Sequence, residues 1–586
     1  MSRFETLKGR RAALFVILAL GLCVFSPAIR APLFLDDYLH AAMVDGTFTG
    51  KRGPADLYDF VNDANRDALA AKGLLPWWSH PVLTIRFFRP LSSALLWLEH
   101  RVFAHESLPM HLCSFAWWVA ATLAVRALYR RFFSGRVVVL GTAIFALAPC
   151  HALPLAWLAN HETLVTLTFG VIGLSFHLRY RLGKGTPLHA ALSAIFFGLS
   201  LLGGGEYALA FFGYVLAVEL RSRPGASWGA RALDAMRGVM PFALPAAAYL
   251  AVRFKLHYRT VGSGFYADPL HAPLSFLRTA PDRLVALLAD SWLTMGSHTW
   301  LPGYPRWALA AIVTASGAAL VVPVRRAFAS LGDESRLVAR TLLVGSVLAL
   351  VPTLAVVPAF RLLGVSTIGV AAVCALVMDH AWFPNAPEGS TANARAAAHA
   401  SFVAVLLGFS QLVHGPMTAF LAARAHRHDG DNFAKRAAWT KAHLGNPSQA
   451  DVGIVRGLAG SFFTPFALDA HGRSPRRWRV LSHCGHVLVL RTDPRTIELV
   501  LAQNRSVYPI GEQNLYRDRG SPLRAGDVIR AAGMTVTILE IGEIGPRRVR
   551  FTFNEPVEAT SWLADTFDAT VPAVLPEPGY GTPFDP

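Results

Sequence analysis

Long apolar stretches recur along the first two thirds of this 586-residue chain, and they constrain its fold more than any other feature of the sequence. Several are near the roughly 20 residues that a helix needs to cross a bilayer. Only 16% of the residues are charged, whereas about a quarter are charged in an ordinary soluble protein. The sequence therefore predicts a polytopic α-helical membrane protein with about 11 transmembrane helices.

Many of the lysines and arginines lie in short clusters between these apolar stretches. The clusters occupy residues 8–11, 126–136, 179–185, 221–237 and 325–340. Basic segments of this kind stay on the cytoplasmic side of a membrane. The net charge of +17 therefore needs no nucleic-acid partner to explain it. We expect an integral, multi-pass protein of a bacterial inner or plasma membrane, with a cytoplasmic N-terminus.

Two adjacent acids, Asp36 and Asp37, follow directly after the apolar residues 12–35. With the basic clusters kept inside, the alternation of spans places both acids in the first outer loop. The same alternation places other polar side chains on the outer side, namely His151, His161, Glu206, Arg253 and Arg361. Because the basic clusters do not require this grouping, it predicts a polar site that opens outward.

The aspartate pair has three interpretations. An ionised aspartate can accept a proton from an attacking hydroxyl group. Two neighbouring carboxylates can also hold a divalent cation. A structural role is the third, since acids stabilise the N-terminus of a helix. A general base needs no metal, so the sequence requires no cofactor and leaves a divalent cation open at Asp36 and Asp37.

The cations on the outer side predict binding of a phosphate group. Arg253 and Lys255 lie in the basic stretch 253–259, which departs from the cytoplasmic location of the other clusters. Arg361 stands at an outer helix end, and arginine can contact phosphate oxygens in a bidentate manner. Arg89 can order a loop or contact phosphate. It can also extend along the interface to keep its charge in water.

The remaining candidates lie where apolar stretches begin or end. For His111, His151 and His161, a packing role and a substrate contact are both open. Glu206 follows three glycines between two apolar stretches. An acid at such a membrane boundary needs a partner and is typically functional.

The chain changes character after about residue 420. Residues 1–420 form the predicted transmembrane core. Residues 421–570 are more polar and contain strand-like runs at 487–493, 497–503, 536–541 and 547–553, which predict a small β-rich domain. The odd number of spans places this domain outside the cytoplasm. The Pro- and Gly-rich residues 571–586 are typical of a disordered tail.

The motifs of the core occur in a distinctive order. They are "LDDYLH" at Asp36 and Asp37, "FFRPLSS" at Arg89, "PMHLCSF" at His111, "CHALPLAWLANHE" at His151, "GGGEYAL" at Glu206 and "FRLLGVSTIG" at Arg361. In this order the chain resembles the GT-C class of integral-membrane glycosyltransferases. It is most like the branch of protein O-mannosyltransferases and transmembrane O-mannosyltransferases. Gly205 replaces a lysine of the family pattern, and the family's tyrosines around Arg361 are absent.

This resemblance implies a transfer reaction at the outer membrane surface. A sugar would move, with inversion, from a polyprenyl-phosphate donor to a hydroxyl of a protein or glycan acceptor. Asp36 or Asp37 would deprotonate that hydroxyl. Arg361 and the 253–259 cluster would stabilise the departing phosphate, and the lipid tail would lie between spans. O-glycosylation in the cell envelope is the expected process.

Two other classes of function compete with a transferase. A transporter places polar residues near the bilayer midplane, often within repeated units. Here the polar residues gather at outer helix ends, and the sequence has no evident repeat. The second alternative is a membrane-anchored binding or assembly protein that acts through its C-terminal β domain.

Overall fold

The computed structural model combines a long helical region with a C-terminal β region. It describes residues 7–49, 52–182, 185–220, 227–267, 269, 273–296, 305–383, 391–444, 450–469, 474–566 and 568–584. Seven of the described helical segments are long and apolar enough to cross a membrane, or eight if one bent pair counts as a span. The predicted class, a polytopic helical protein with a β-rich C-terminal domain, is confirmed.

The helices follow the apolar stretches closely. They are α1 (Leu7–Val24), α2 (Ser26–Ile29), α3 (Asp36–Asp45), α4 (Arg66–Lys72), α5 (Pro90–Phe103), α6 (Ser107–Phe132), α7 (Gly135–Ala146), α8 (Ala152–Ala156), α9 (Glu162–Arg181), α10 (Pro187–Gly204), α11 (Phe212–Glu219), α12 (Trp228–Lys255), α13 (Pro273–Leu293), α14 (Arg306–Ala329), α15 (Asp333–Leu348), α16 (Gly364–Trp382), α17 (Thr391–Phe409), α18 (Gly415–Leu444) and α19 (Thr464–Asp469). The bent pair is α7 with the segment Pro149–Ala156, at 42°. The expected span count of about 11 included α1 and α9, which are not among the segments that meet the length and hydropathy requirement.

The segment Pro187–Glu219 is one helical run in sequence but turns back on itself. The rings of Phe197 and Phe212 lie 5.6 Å apart, whereas these positions would be about 22 Å apart along a continuous α-helix. The turn falls at Gly205, whose φ of +64° favours glycine. This reversal brings Glu206 to the same end of the bundle as Arg253.

Different ion pairs lie at the two ends of the helical bundle. At one end Arg136 pairs with Asp379 at 2.7 Å, and Arg181 pairs with Glu219 at 2.6 Å. Arg136 and Arg181 belong to basic clusters predicted to stay in the cytoplasm. The aspartate pair of α3 and the ion pair of Arg253 with Glu206 lie at the other end, which we call the site end. Four of the side chains predicted to share one side, Asp36, Asp37, Glu206 and Arg253, therefore lie at the site end.

A long helical rod connects the bundle to the β region. It runs through α17, a π-helical turn at Ser410–His414, and α18 to Leu444. Within it, Arg395–Leu444 is a helical segment of 50 residues that contains an apolar stretch long enough to cross a membrane, and it is about 75 Å long. The helix α18 therefore continues past the predicted domain boundary at residue 420. The polar residues that suggested it lie on a helix that packs beside the first outer loop, with Phe433 6.1 Å from Phe34.

The β region contains two sheets that share one apolar core. The strands of this region are β4 (Asp451–Arg456), β5 (Arg477–Ser482), β6 (Val487–Asp493), β7 (Thr496–Val500), β8 (Val528–Ala531), β9 (Met534–Ile541), β10 (Pro546–Phe553), β11 (Thr560–Asp565), β12 (Thr570–Pro572) and β13 (Gly581–Phe584), after β1 (Asp59–Val61), β2 (Thr84–Arg86) and β3 (Thr260–Val261) in the outer loops. Six strands pair in the order β13-β6-β7-β10-β9-β8, and four in the order β12-β11-β4-β5. The expected disordered tail is wrong for the described part, because β13 pairs with β6 and closes the edge of the larger sheet.

The first outer loop, residues 31–88, joins the bundle to the β domain. Tryptophans of a membrane protein are enriched at the lipid headgroups, but Trp77 and Trp78 are both buried in the β-domain core. The Trp77 indole N–H donates to the Leu481 carbonyl at 3.0 Å, and Trp78 stacks on Tyr508 at 5.5 Å. The two tryptophans are thus buried by protein and not by lipid headgroups. The β domain therefore covers the site end on the side away from the spans.

Gly73 and Gly46 offer a matched test of this docking. Both end a helix in the left-handed region, with φ of +75° and +78°. A Cβ at Gly73 would clash with the Trp478 carbonyl of the β domain, whereas one at Gly46 meets open space. We expect Gly46→Ala to cost about 1–2 kcal/mol, and Gly73→Ala roughly 1–3 kcal/mol more. Thermal unfolding of both variants checks this. Equal melting temperatures would show that the loop does not dock as described.

Candidate functional site

Helix α3 positions the aspartate pair at the site end. Asp36 and Asp37 are its first residues, where the helix dipole favours negative charge. The preceding Leu35 has a φ of +45°, a strained value for a leucine. This sharp entry lets the two neighbouring carboxylates point to different surroundings.

Asp37 is a structural member of the pair. Its side chain is buried, and both of its oxygens accept backbone hydrogen bonds. Oδ2 accepts from the Phe34 N–H at 2.9 Å, and Oδ1 accepts from the Ala159 N–H at 2.8 Å. Asp37 therefore ties the loop entering α3 to the turn before α9.

Asp36 lines a cavity of about 640 Å³ at the site end. Burial raises the pKa of its carboxyl from 3.8 to about 7, the positive charge of Arg361 opposes this rise, and the negative charge of Glu162 adds to it. A carboxyl with a pKa near neutrality can both hold and release a proton under physiological conditions. Because Asp36 lines the cavity while backbone amides occupy both oxygens of Asp37, Asp36 is the member of the pair that can act on a bound molecule.

Two ion pairs fix most of the other charges in the cavity wall. Arg89, at the start of α5, pairs with Glu162 at 3.1 Å, and Asn160 also donates to that carboxylate at 3.1 Å. Arg253, near the end of α12, pairs with Glu206. These charges neutralise one another in place.

Arg361 differs from the other cations of the wall. It lies in a short 3₁₀ turn, Phe360–Leu363, just before α16. Across the part of the chain that the structure describes, its guanidinium has no hydrogen bond or ion pair, and it faces the same cavity as Asp36. All five donors of this group are therefore available to an anion.

Half of the candidates from the sequence line this cavity: Asp36, Arg89, Glu206, Arg253 and Arg361. The structure places the rest outside its wall. Asp37 is occupied by backbone amides, and Lys255 is exposed to one side. The ring of His111 lies 2.8 Å from the Leu155 carbonyl, and that of His151 lies 2.8 Å from the Phe145 carbonyl. His161 is buried 3.7 Å from Glu99. Catalytic or binding roles for these residues stay predictions.

Sequence reasoning missed several residues of the cavity wall. Tyr207 and Tyr266 place phenol groups there, although the tyrosines expected near Arg361 are absent. The β domain contributes Phe462, His483 and Tyr516. Glu162 could have been found as the acid next to His161. The others carry no local signal, because they reach the cavity only through the docking of distant segments.

The residues present offer limited support for a metal ion. Among the described residues, no group of three or more His, Cys, Asp or Glu side chains is arranged to hold one. Both oxygens of Asp37 already accept backbone N–H groups, so the pair presents one free carboxylate to the cavity. A divalent cation requires additional oxygen ligands. A cation at Asp36 remains a prediction.

Neither a family model nor a curated protein matches this chain. Its fold is similar to that of several solved structures. The first is an oligosaccharyltransferase from Archaeoglobus fulgidus that is tethered to an acceptor peptide. It aligns with 82% of this chain at 13% sequence identity and a TM-score of 0.42. The alignment covers 64% of the oligosaccharyltransferase. ArnT from Cupriavidus metallidurans, bound to undecaprenyl phosphate, aligns with 80% at 12% identity and a TM-score of 0.38, with 89% of ArnT covered. The arabinofuranosyltransferase AftD from Mycobacteria aligns with 95% at 14% identity and a TM-score of 0.34, with 42% of AftD covered.

The different surroundings of the two aspartates predict different effects on stability. An asparagine at position 37 can accept only one of the two backbone N–H groups, and leaving a buried donor unpaired costs about 1–3 kcal/mol. We expect Asp37→Asn to lower the free energy of unfolding by that amount, and Asp36→Asn to change it by less. Thermal unfolding of the purified variants measures both. A wild-type melting temperature for Asp37→Asn would contradict this assignment.

Proposed function

We propose that this protein is a membrane glycosyltransferase of the GT-C type. It moves a sugar from a polyprenyl-phosphate donor to an acceptor hydroxyl at the non-cytoplasmic side of a bacterial inner membrane. The order of sequence motifs favours the O-mannosyltransferase branch of the class. The observation that carries the proposal is that one cavity at the site end is lined both by the Asp36 carboxyl and by the Arg361 guanidinium, and neither group has a hydrogen bond or ion pair to another described residue.

The two free groups match the two charge changes of the reaction. As the acceptor oxygen attacks the anomeric carbon, its proton passes to the Asp36 carboxylate. The bond between the anomeric carbon and the phosphate oxygen breaks in the same step, which inverts the configuration. The phosphate leaves on the lipid with one more negative charge. Arg361 is oriented before the reaction and stabilises that developing charge.

The wall of the cavity supports a donor with an apolar tail. Part of the wall belongs to candidate spans, including Leu209, Leu250, Phe254 and Leu362. A lipid phosphate held at Arg361 can therefore extend its chain along apolar surface toward the membrane. The paired residues Arg89, Glu162, Glu206 and Arg253 offer hydrogen-bonding groups for a sugar between the phosphate and Asp36.

The alternatives predict different groupings of polar residues. A transporter requires its polar site near the middle of the spans, whereas the free charges here lie at helix ends. A binding protein that acts through the β domain requires no free carboxyl with a near-neutral pKa. Release of polyprenyl phosphate from a labelled polyprenyl-phosphate sugar, with purified protein in nanodiscs, separates a transferase from both.

Asp36 predicts the pH dependence of transfer. Only its ionised form accepts a proton, and burial raises its pKa to about 7. We expect the rate to fall about tenfold per pH unit below pH 7 and to level off above it. Asp36→Asn should reduce transfer by about 10²–10⁴ while the protein still inserts and folds. Asp45→Asn, at the other end of α3, is the control. Full turnover by Asp36→Asn would exclude this base.

Arg361 predicts a specific loss at the chemical step. Because phosphate charge increases in the transition state, Arg361→Gln should lower kcat more than it raises KM for the donor. A loss of about 10²–10³ in kcat is typical for one such group. Arg361→Lys keeps the charge and should recover part of the rate. Steady-state kinetics with varied donor concentration measures this. A change in KM alone would limit Arg361 to ground-state binding.

A further inference from the structure

A second, smaller pocket joins the main cavity at Asp36. It has a volume of about 110 Å³, and Asp36 belongs to the walls of both cavities. Its other walls are almost entirely apolar, formed by side chains that include Leu39, Val61, Leu75, Ile85, Phe466 and Leu515. Asp36 therefore lies between a main cavity that several other charged side chains line and a smaller pocket in which it is the charged residue.

The location of this pocket excludes it as a site for the donor's lipid tail. Its walls come from the first outer loop, the loop containing Tyr266 and the β domain. None of its lining residues belongs to a candidate span. A tail that reaches the membrane would have to pass along the spans, and those line only the main cavity.

The size and polarity of the pocket indicate what it holds. A dry cavity of about 150 Å³ lined by aliphatic and aromatic side chains binds benzene, so 110 Å³ suits an aromatic ring or a branched alkyl group. Apart from Asp36, the polar side-chain groups of its lining residues are the hydroxyls of Tyr266 and Tyr516. A sugar ring, which carries a hydroxyl on most of its carbons, would leave those groups unpaired here.

We propose that this pocket, the acceptor pocket, binds an apolar group carried by the acceptor next to the hydroxyl that receives the sugar. The acceptor is then an alcohol with an aromatic or branched alkyl substituent, such as a hydroxyl side chain beside an apolar residue, and not a polar glycan. The inference rests on the proposed function for the role of Asp36. It also gives the β domain a role, because Phe466 and Leu515 complete the pocket.

Variants that fill the pocket provide the test. Leu75→Trp adds bulk from the outer loop, and Val61→Phe does so from a second position if the first variant fails to fold. Val82→Trp is the matched control, since Val82 lies in the same loop and is 51% exposed. The probe is 4-fluorophenethyl alcohol, an apolar alcohol, and glycerol is its polar counterpart. The full chain is used in nanodiscs, and empty nanodiscs correct for partitioning of the probe into lipid.

Two readouts separate the inference from the proposed function. Broadening of the probe's ¹⁹F NMR signal measures binding without any turnover. We expect wild type and Val82→Trp to broaden it, and the filled variants to lose at least tenfold in affinity. Sugar transfer is measured with both alcohols. We expect wild type to prefer the apolar alcohol and the filled variants to lose that preference while glycerol still reacts.

The outcomes are distinct. If no variant, including wild type, releases polyprenyl phosphate or transfers sugar, the proposed function fails, whatever the NMR result. If the filled variants bind the probe as well as wild type, the acceptor pocket is excluded, whether or not transfer occurs. The acceptor pocket is also excluded if wild type transfers sugar to glycerol in preference to the apolar alcohol, and that result would favour a glycan acceptor.

Discussion

The two hydrogen bonds accepted by the Asp37 carboxylate organise the site. They join a backbone amide at residue 34 to one at residue 159, in segments that are far apart in the chain. The Ala159 donor is buried and the Phe34 donor is partly buried, so the carboxylate satisfies groups that would otherwise destabilise the fold. With the loop fixed on both sides, α3 begins at a defined place. Its first residue, Asp36, is directed into the cavity instead of into protein.

The first outer loop extends this arrangement to the β domain. Trp77 and Trp78 are large enough to complete an apolar core that the strands of the β domain leave open at one side. The close approach of Gly73 to Trp478 requires the absence of a side chain. The loop therefore packs against the bundle at one surface and against the β domain at another. A cavity with walls from all three parts follows from this double docking.

Much of this organisation could be predicted from local sequence. Hydropathy predicts the helices, and basic clusters predict which helix ends lie together. The common location of Asp36, Glu206, Arg253 and Arg361 at one end of the bundle follows from those two rules. The two rules fail where the polarity of a residue does not indicate what surrounds it in the fold. The polar residues after 420 continue the helix α18, and the tryptophan pair is buried by protein instead of at the lipid surface.

The sequence by itself determined that the chain is a membrane protein with Asp36, Glu206, Arg253 and Arg361 at one end of its helices and most of its basic clusters at the other. Hydropathy and charge depend on residue types and their order, so they can be read along the chain. The tertiary structure alone decided that Asp36 is free while Asp37 is occupied, and that Arg361 is unpaired among the described residues while Arg89 and Arg253 are paired. Whether a charge is free depends on partners brought from distant segments, and no local pattern encodes that distance.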